Sequence, residues 1–295
     1  MKRATRHRHL LGLLSLAAMI SAYTLVSNAY RLVDPASMPD ALSGLLRPDI
    51  LPPTQAVAGA FGELLGRGVP PDARVHPSSD HVATLQREGV TLPVSLAVTT
   101  SRVLFGLAVG APLGFLVGLL LGWSRRADDY LHPIYVLLRS VPPLALITYI
   151  MLWLGHTEAH RLIPIVYAVA VALVIPTYHG VRDVANRYLV AARSLGARGR
   201  LLLAGIVLPA ARPAMLAGLR VAIAIAWMTA VGAEMLMAEN GMGVLLVGGG
   251  MWATRLQTRT DPAVVMAGII ALAAAGWAMD AVARVLGARL TRWAR

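Results

Sequence analysis

Charged side chains inside apolar segments are the residues of this chain with the clearest chemical potential. Arg139 and Arg220 each lie within an apolar run long enough to cross a bilayer. An ionised group at that depth needs a partner or an aqueous cavity. A guanidinium facing such a cavity offers forked hydrogen-bond donors to an anion. We therefore predict that Arg139 or Arg220 faces a translocation path for a small anion such as a sulfonate.

Two further charges lie near outer ends of apolar runs: Arg102 in the run 94–123, and Glu234 just after the run 211–233 that contains Arg220. Their similar depth makes an ion pair between them geometrically possible. Such positions favour a structural role, either as an ion pair or as a side chain that snorkels to the membrane surface. A place for Arg102 and Glu234 in the translocation path is the alternative.

The segment HTEAH at 156–160 has two histidines four residues apart, a spacing that can bind a metal on a helix. The glutamate between them is not at the HExxH position, and the segment is predicted to be a solvated external loop. We therefore predict no metal site. Lys2 is the only lysine and follows no glycine-rich stretch, so the GxxxxGK[ST] phosphate loop is missing. The chain is predicted to be no enzyme, with no cofactor of its own.

Composition indicates a membrane protein. Of 295 residues, 57 % are hydrophobic and 14 % are charged, which is too apolar for a soluble domain of this size. The net charge of +12 then reflects orientation rather than nucleic-acid binding, because arginine-rich loops stay cytoplasmic. We predict an all-α polytopic membrane protein with about six transmembrane helices, at 10–30, 94–123, 130–154, 161–180, 211–233 and 262–287.

The same pattern predicts the order of segments. Residues 1–30 form a cytoplasmic tail and first helix, with a cleaved secretory signal as the alternative. Residues 31–93 form an extracytoplasmic segment with short helices at about 54–66 and 79–88. Residues 94–290 form the transmembrane domain, and 291–295 a cytoplasmic tail. With the N-terminus inside, sixteen Lys and Arg fall on the cytoplasmic side against eight outside, so both termini are predicted to be cytoplasmic.

Glycine recurs every four residues along the second span, at 106, 110, 114, 118 and 122. This stripe favours close packing within one subunit, and a subunit interface or pore lining is the alternative. Pro112 and Pro142–Pro143 are predicted to bend their spans. For the glycine-rich stretch 238–261 we consider three interpretations: an outer gate, a docking platform or a re-entrant connection.

The cytoplasmic stretch 187–209 is predicted to fold as an elbow. Residues 187–195 read as a helix that ends at a left-handed Gly196, and 199–207 as a second helix stopped by Pro209. Small residues and a ring of arginines suit docking on a partner. A hairpin lying on anionic headgroups is the alternative.

This stretch resembles the cytoplasmic signature of binding-protein-dependent ABC importer permeases, which reads Glu-Ala-Ala, three residues, Gly, nine residues, Ile-x-Leu-Pro. The pattern falls here on Ala191, Ala192, Gly196, Ile206, Leu208 and Pro209, with Val190 in place of the glutamate. The stretches 137–155, 180–197 and 226–246 are similar to the sulfonate, taurine and nitrate branch of that superfamily. The resemblance covers about residues 94–290.

The resemblance implies a type I ABC importer permease fold in the inner membrane. It implies two separate ATPase subunits that hold ATP-Mg, a second permease copy, by default identical, and an extracytoplasmic substrate-binding protein. The residues it implies for ATPase coupling are Ala191, Ala192, Arg193, Gly196, Ala197, Ile206, Leu208 and Pro209. An ion-coupled secondary transporter is the competing hypothesis. That class needs carboxylates at mid-bilayer, whereas Glu234 and Asp280 lie towards span ends.

Overall fold

The computed structural model describes residues 18, 20–27, 52–66, 91–155, 157–237, 240–247 and 262–291. Within these ranges every regular element is helical and no strand occurs. The helices are α1 Thr54–Gly66, α2 Leu92–Trp123, α3 Arg125–Arg139, α4 Pro143–Leu154, α5 Glu158–Arg182, α6 Asn186–Ser194, α7 Gly199–Leu202, α8 Leu208–Met237, α9 Met242–Val247 and α10 Pro262–Leu290. A π-helical segment, Leu203–Val207, joins α7 to α8.

Four helices in the described ranges are long and apolar enough to cross a membrane: α2, α5, α10 and the uninterrupted run Gly199–Leu236. The bent pair of α3 and α4 passes the same test when the two helices are taken together, which gives five spans if the pair is counted as one. These five correspond to five of the six predicted spans. The first predicted span, 10–30, lies mostly outside the described residues, as does the short helix expected at 79–88. The short helix expected at 54–66 is confirmed as α1.

The glycine stripe of α2 packs against α5 of the same chain. A methyl group built on Gly110 would lie 2.6 Å from the carbonyl oxygen of Val166, and one on Gly118 would lie 2.6 Å from the carbonyl oxygen of Val174. Only glycine lets the two backbones come this close. The predicted packing within one subunit is therefore confirmed, and the pore-lining alternative for this stripe is wrong.

Helix α8 completes the core by packing against both α5 and α2. Gly218 accommodates the ring of Pro176, since a methyl group there would lie 2.6 Å from the proline Cβ. The core shared by these helices consists of small and branched residues: Val103, Ala111, Ile165, Val169, Leu173, Ala222, Ile223, Ala226, Trp227 and Ala230. Helices α2, α5 and α8 thus form one closely packed unit.

The span predicted at 130–154 is broken. Helix α3 starts earlier, at Arg125, where the hydroxyl of Ser124 accepts a hydrogen bond from the amide of Ala127 at 3.3 Å. The axes of α3 and α4 meet at 86°. Pro142 and Pro143 lack amide donors and disfavour helical backbone before them, which explains the break. Pro112, in contrast, lies inside α2, which continues through it as one helix.

On the predicted external side, α1, α9 and the start of α10 share a second core. Leu64, Met242, Leu245 and Val264 are all nearly inaccessible there. Residues 240–247 therefore fold back onto the transmembrane helices. The remainder of the stretch 238–261 lies outside the described residues.

Candidate functional site

The turn of the predicted elbow has the expected glycine geometry. Helix α6 ends at Ser194, and Gly196 has φ +87°, a left-handed conformation. The amide of Gly196 donates to the carbonyl of Arg193 at 3.0 Å, and that of Ala197 donates to the carbonyl of Ala192 at 3.0 Å. These bonds close the helix end as a left-handed glycine cap does. The predicted cap at Gly196 is confirmed.

The second arm does not end at Pro209, so that prediction is wrong. The helix passes from α7 through the π segment into α8, and Pro209 stands in the first turn of α8. In the π segment the amide of Leu208 donates to the carbonyl of Leu203. This wider turn makes room for the proline ring, which in a regular α-helix would clash with the preceding turn.

One side of the elbow is anchored to the transmembrane helices. Val181 of α5, Val207 and Ala211 are buried together, with Leu189 and Leu203 packed against them. Ala192 and Leu202 are also buried. Among the other residues predicted for coupling, Ala197, Ile206, Leu208 and Pro209 are half-buried.

The opposite side of the elbow is apolar and uncovered. Leu195 is 89 % exposed, Leu201 72 % and Val190 53 %. Ala191, Arg193, Gly196, Arg198 and Arg200 are also exposed. Large apolar groups ringed by arginines are typical of a protein-binding surface. The predicted coupling residues are thus divided between an anchored side and an exposed side.

An ion pair at the base of the elbow was missed by the sequence reasoning. Arg182, the last residue of α5, binds the carboxylate of Asp128 near the start of α3. The hydroxyl of Tyr178 also donates to that carboxylate, at 3.2 Å. The pair joins α3 to the end of α5, four residues before α6 begins. The two charged residues are 54 positions apart, and the sequence gave no signal for their pairing.

The Arg102–Glu234 pair is present, with 2.7 Å between Nη1 and Oε1. Both side chains are buried, Glu234 completely. Thr99 donates its hydroxyl to the same carboxylate at 2.8 Å, and Arg102 also binds Glu158 at 2.8 Å. Arg161 in turn binds Glu158 at 2.5 Å. These contacts connect α2, α5 and α8 at one end of the bundle.

The same charges hold the turn that leads into α9. The amide of Gly243 donates to Glu234 Oε2 at 3.0 Å, and Arg102 donates to the Asn240 carbonyl at 3.0 Å and to its side-chain oxygen at 2.7 Å. Gly241 has φ +117°, and a methyl group there would lie 2.5 Å from Glu234 Oε1. We call Thr99, Arg102, Glu158, Glu234 and Asn240–Gly243 the outer clasp.

The expectation that HTEAH forms a solvated loop is wrong for its second half. Glu158 and His160 belong to the first turn of α5, and His160 is 1 % exposed. The sequence misled because polar residues precede the apolar run, while Arg102, the partner of Glu158, is 56 positions away. His156 lies outside the described residues. Within the described ranges, no group of three or more His, Asp or Glu is placed to hold a metal ion.

Arg220 lines a groove of about 960 Å³ between α8 and α10. Its Nε lies 2.7 Å from Asp280 Oδ1 and its Nη2 lies 3.2 Å from Oδ2, an arrangement with two parallel contacts. Arg284 approaches the same carboxylate at 3.4 Å. The remaining walls are largely apolar and include Trp227 and Met228.

Arg139 ends α3 at the break of the bent span and is exposed. Its guanidinium interacts with the Tyr135 side chain, which donates its hydroxyl to the Val171 carbonyl at 3.1 Å. No salt bridge joins Arg139 to a carboxylate in the part of the chain that the structure describes. Arg139 takes no part in the contacts that join Arg102 to Glu234 and Arg220 to Asp280.

Comparison with known proteins identifies relatives along most of the chain. A family profile described as binding-protein-dependent transport system inner membrane component matches residues 110–292. A Bacillus subtilis protein named as an aliphatic sulfonates transport permease is 30 % identical over 85 % of this chain and 87 % of its own length. The taurine transport system permease protein of Escherichia coli is 33 % identical over 69 % and 71 %. The nitrate import permease protein of Synechococcus elongatus is 30 % identical over 70 % and 69 %.

Proposed function

The chain belongs to the family of binding-protein-dependent transport system inner membrane components, and from this premise we propose how it meets its motor and what it carries. It is the permease subunit of an ABC importer, a multi-pass inner-membrane protein with the all-helical type I permease fold. It works with an ATPase and a substrate-binding protein. Its relatives' names disfavour the secondary-transporter alternative.

We propose that the elbow 187–209 is the site at which the ATPase docks. The observation that carries this proposal is the elbow's division into an anchored side and an exposed apolar side. Because the elbow is anchored by Val181, Val207 and Ala211, it can transmit force to the transmembrane helices. Burial of the exposed Leu195 and Leu201 under a partner protein is favourable, because it removes apolar surface from water. Force applied there acts directly on α8, since Gly199–Leu236 is one uninterrupted helix.

The assembly we propose has two permease copies, identical by default because most closed oligomers are symmetric, and two ATPase subunits that hold ATP-Mg. Both chain termini face the cytoplasm, 31–93 faces the binding protein, and the chain itself holds no cofactor. The proposed substrate is a small organic or inorganic oxyanion. The printed names of the relatives, sulfonate, taurine and nitrate permeases, support this class.

Crosslinking tests the docking site cleanly, because the chain contains no cysteine. Ala191→Cys, on the exposed side of α6, is expected to crosslink to the ATPase in the purified complex. Asp129→Cys, exposed at the start of α3, is the control on the same side of the membrane. The proposal fails if the ATPase co-purifies but Ala191→Cys crosslinks no better than Asp129→Cys. A headgroup-bound hairpin would instead place the Ala191→Cys label in lipid.

A further inference from the structure

We propose that Arg139 supplies the positive charge that selects anions in the translocation path, and that Arg220 and Arg102 do not. This inference rests on the proposed function and identifies the selecting residue within it. The notable feature is an exposed guanidinium at the break of a bent transmembrane span. Three observations on depth, pairing and surroundings carry the proposal.

Depth is the first observation. The bent pair runs from Arg125 to Leu154, and Arg139 ends the 15-residue α3, four residues before the 12-residue α4 begins. Arg139 therefore lies near the middle of the sequence of a pair that is together apolar enough to cross the bilayer, and a charged side chain inside such a run is costly in lipid. A guanidinium there is tolerated when it faces water or a partner.

Pairing is the second observation. Arg102 is bound by Glu234 and Glu158, and Arg220 is bound by Asp280 with two contacts. An anion approaching Arg220 would meet the Asp280 carboxylate as well, whereas Arg139 has no carboxylate partner among the described residues. Of Arg102, Arg139 and Arg220, only Arg139 keeps a charge that no carboxylate of the described residues neutralises.

The surroundings of Arg139 are the third observation. Leu137 is 72 % exposed, Leu144 50 % and Val141 38 %, so the charge stands within an exposed apolar border. Apolar neighbours lower the local dielectric and strengthen the attraction between a guanidinium and an anion. The same guanidinium repels a cation.

The position of the break is fixed from one side. The hydroxyl of Tyr167 on α5 donates to the carbonyl of Leu138 and lies 3.4 Å from the carbonyl of Val141. Tyr135 and Ile147 are the buried residues of α3 and α4 in the described part. The break is therefore held against α5 through its backbone, while the Arg139 side chain stays exposed. This arrangement holds the backbone that carries the guanidinium in one position, which selection of an anion requires.

The test uses the complete importer, with ATPase and binding protein, in proteoliposomes. Methanesulfonate, a simple aliphatic sulfonate, and nitrate serve as probes, and the one that the unmodified complex carries is used. Arg139→Gln is expected to reduce uptake about tenfold or more, as the loss of a charge-assisted hydrogen bond implies. Arg139→Lys, which keeps the positive charge, is expected to keep a larger share of uptake than Arg139→Gln. The double variant Arg220→Gln/Asp280→Asn, which removes the other pair, is expected to keep uptake within about threefold.

A charge-restoration readout separates selection from folding. In Arg139→Cys, the only thiol of the chain, a positively charged methanethiosulfonate reagent is expected to restore uptake and a negatively charged one to block it. The proposal is overturned if the thiol reacts with neither reagent, with or without nucleotide, or if both reagents act alike. Failure of the ATPase to co-purify with the unmodified chain would instead refute the proposed function.

Discussion

Replacing Gly241 by alanine tests whether the outer clasp is built around a glycine. Gly241 has φ +117°, which costs an L-residue about 1–2 kcal/mol. The new methyl group would also lie 2.5 Å and 2.6 Å from the two Glu234 oxygens, closer than packed atoms come. The carboxylate must then move away from Arg102, Thr99 and the Gly243 amide.

The size of the effect follows from the burial of the pair. Glu234 is completely buried and Arg102 is 5 % exposed, so solvent cannot replace the contacts that are lost. Breaking a buried ion pair costs about 3–5 kcal/mol. Together with the backbone strain, we expect Gly241→Ala to destabilise the protein by roughly 4–7 kcal/mol, a large share of the stability of a typical protein.

Thermal unfolding of the detergent-purified importer measures this effect. Gly59→Ala is the matched control, because Gly59 lies within α1 and a methyl group there meets nothing within 4 Å. We expect the control to stabilise slightly, by about 0.5–1 kcal/mol, since alanine favours helix over glycine. The reasoning is refuted if Gly241→Ala and Gly59→Ala unfold at the same temperature.

A double-mutant cycle separates the collision from the backbone strain. In Glu234→Ala the carboxylate that obstructs the methyl group is absent. We therefore expect Gly241→Ala to cost only about 1–2 kcal/mol in that background. Equal costs in both backgrounds would show that the carboxylate is not what requires glycine at this position.

Three further outcomes are expected. Gly110→Ala places a methyl group 2.6 Å from a backbone oxygen of α5 and should lower the unfolding temperature, whereas Gly276→Ala in α10, which meets nothing within 4 Å, should not. Asp128→Asn removes the charge that holds Arg182 below the elbow and should lower uptake per ATP hydrolysed in proteoliposomes, with ATPase co-purification retained. Leu195→Asp should weaken ATPase co-purification about tenfold, leaving the unfolding temperature of the isolated permease unchanged because the side chain is 89 % exposed.

Features set by local chain chemistry could be predicted from the sequence. The four-residue glycine spacing on α2 identified a close helix contact, and Gly196 identified the end of α6. Both features depend on glycine having no side chain, and the sequence shows directly where each glycine is. The span boundaries were also close, because the length of an apolar run reflects membrane thickness.

Features set by distant partners could not be predicted in the same way. Glu158 was read as part of a loop because nothing nearby in the sequence indicates that Arg102 covers it. Contrary to the prediction, the helix does not end at Pro209, because the five preceding residues form a π turn. That turn depends on all five residues together, so no single residue in the sequence indicates it. The groups that hold Asn240–Gly243 come from α2 and α8, so the outer clasp depends on how the helices assemble.

The uninterrupted run Gly199–Leu236 makes a connecting rod of roughly 57 Å, given a rise of about 1.5 Å per residue. One end forms part of the surface that we propose binds the ATPase, and the other carries Glu234, which accepts a hydrogen bond from the amide of Gly243 in the outer clasp. The helix continues through its π segment without a break, so an axial displacement at the elbow would reach the outer clasp directly. On the proposed docking, movement of the ATPase and opening of the outer face would then occur together.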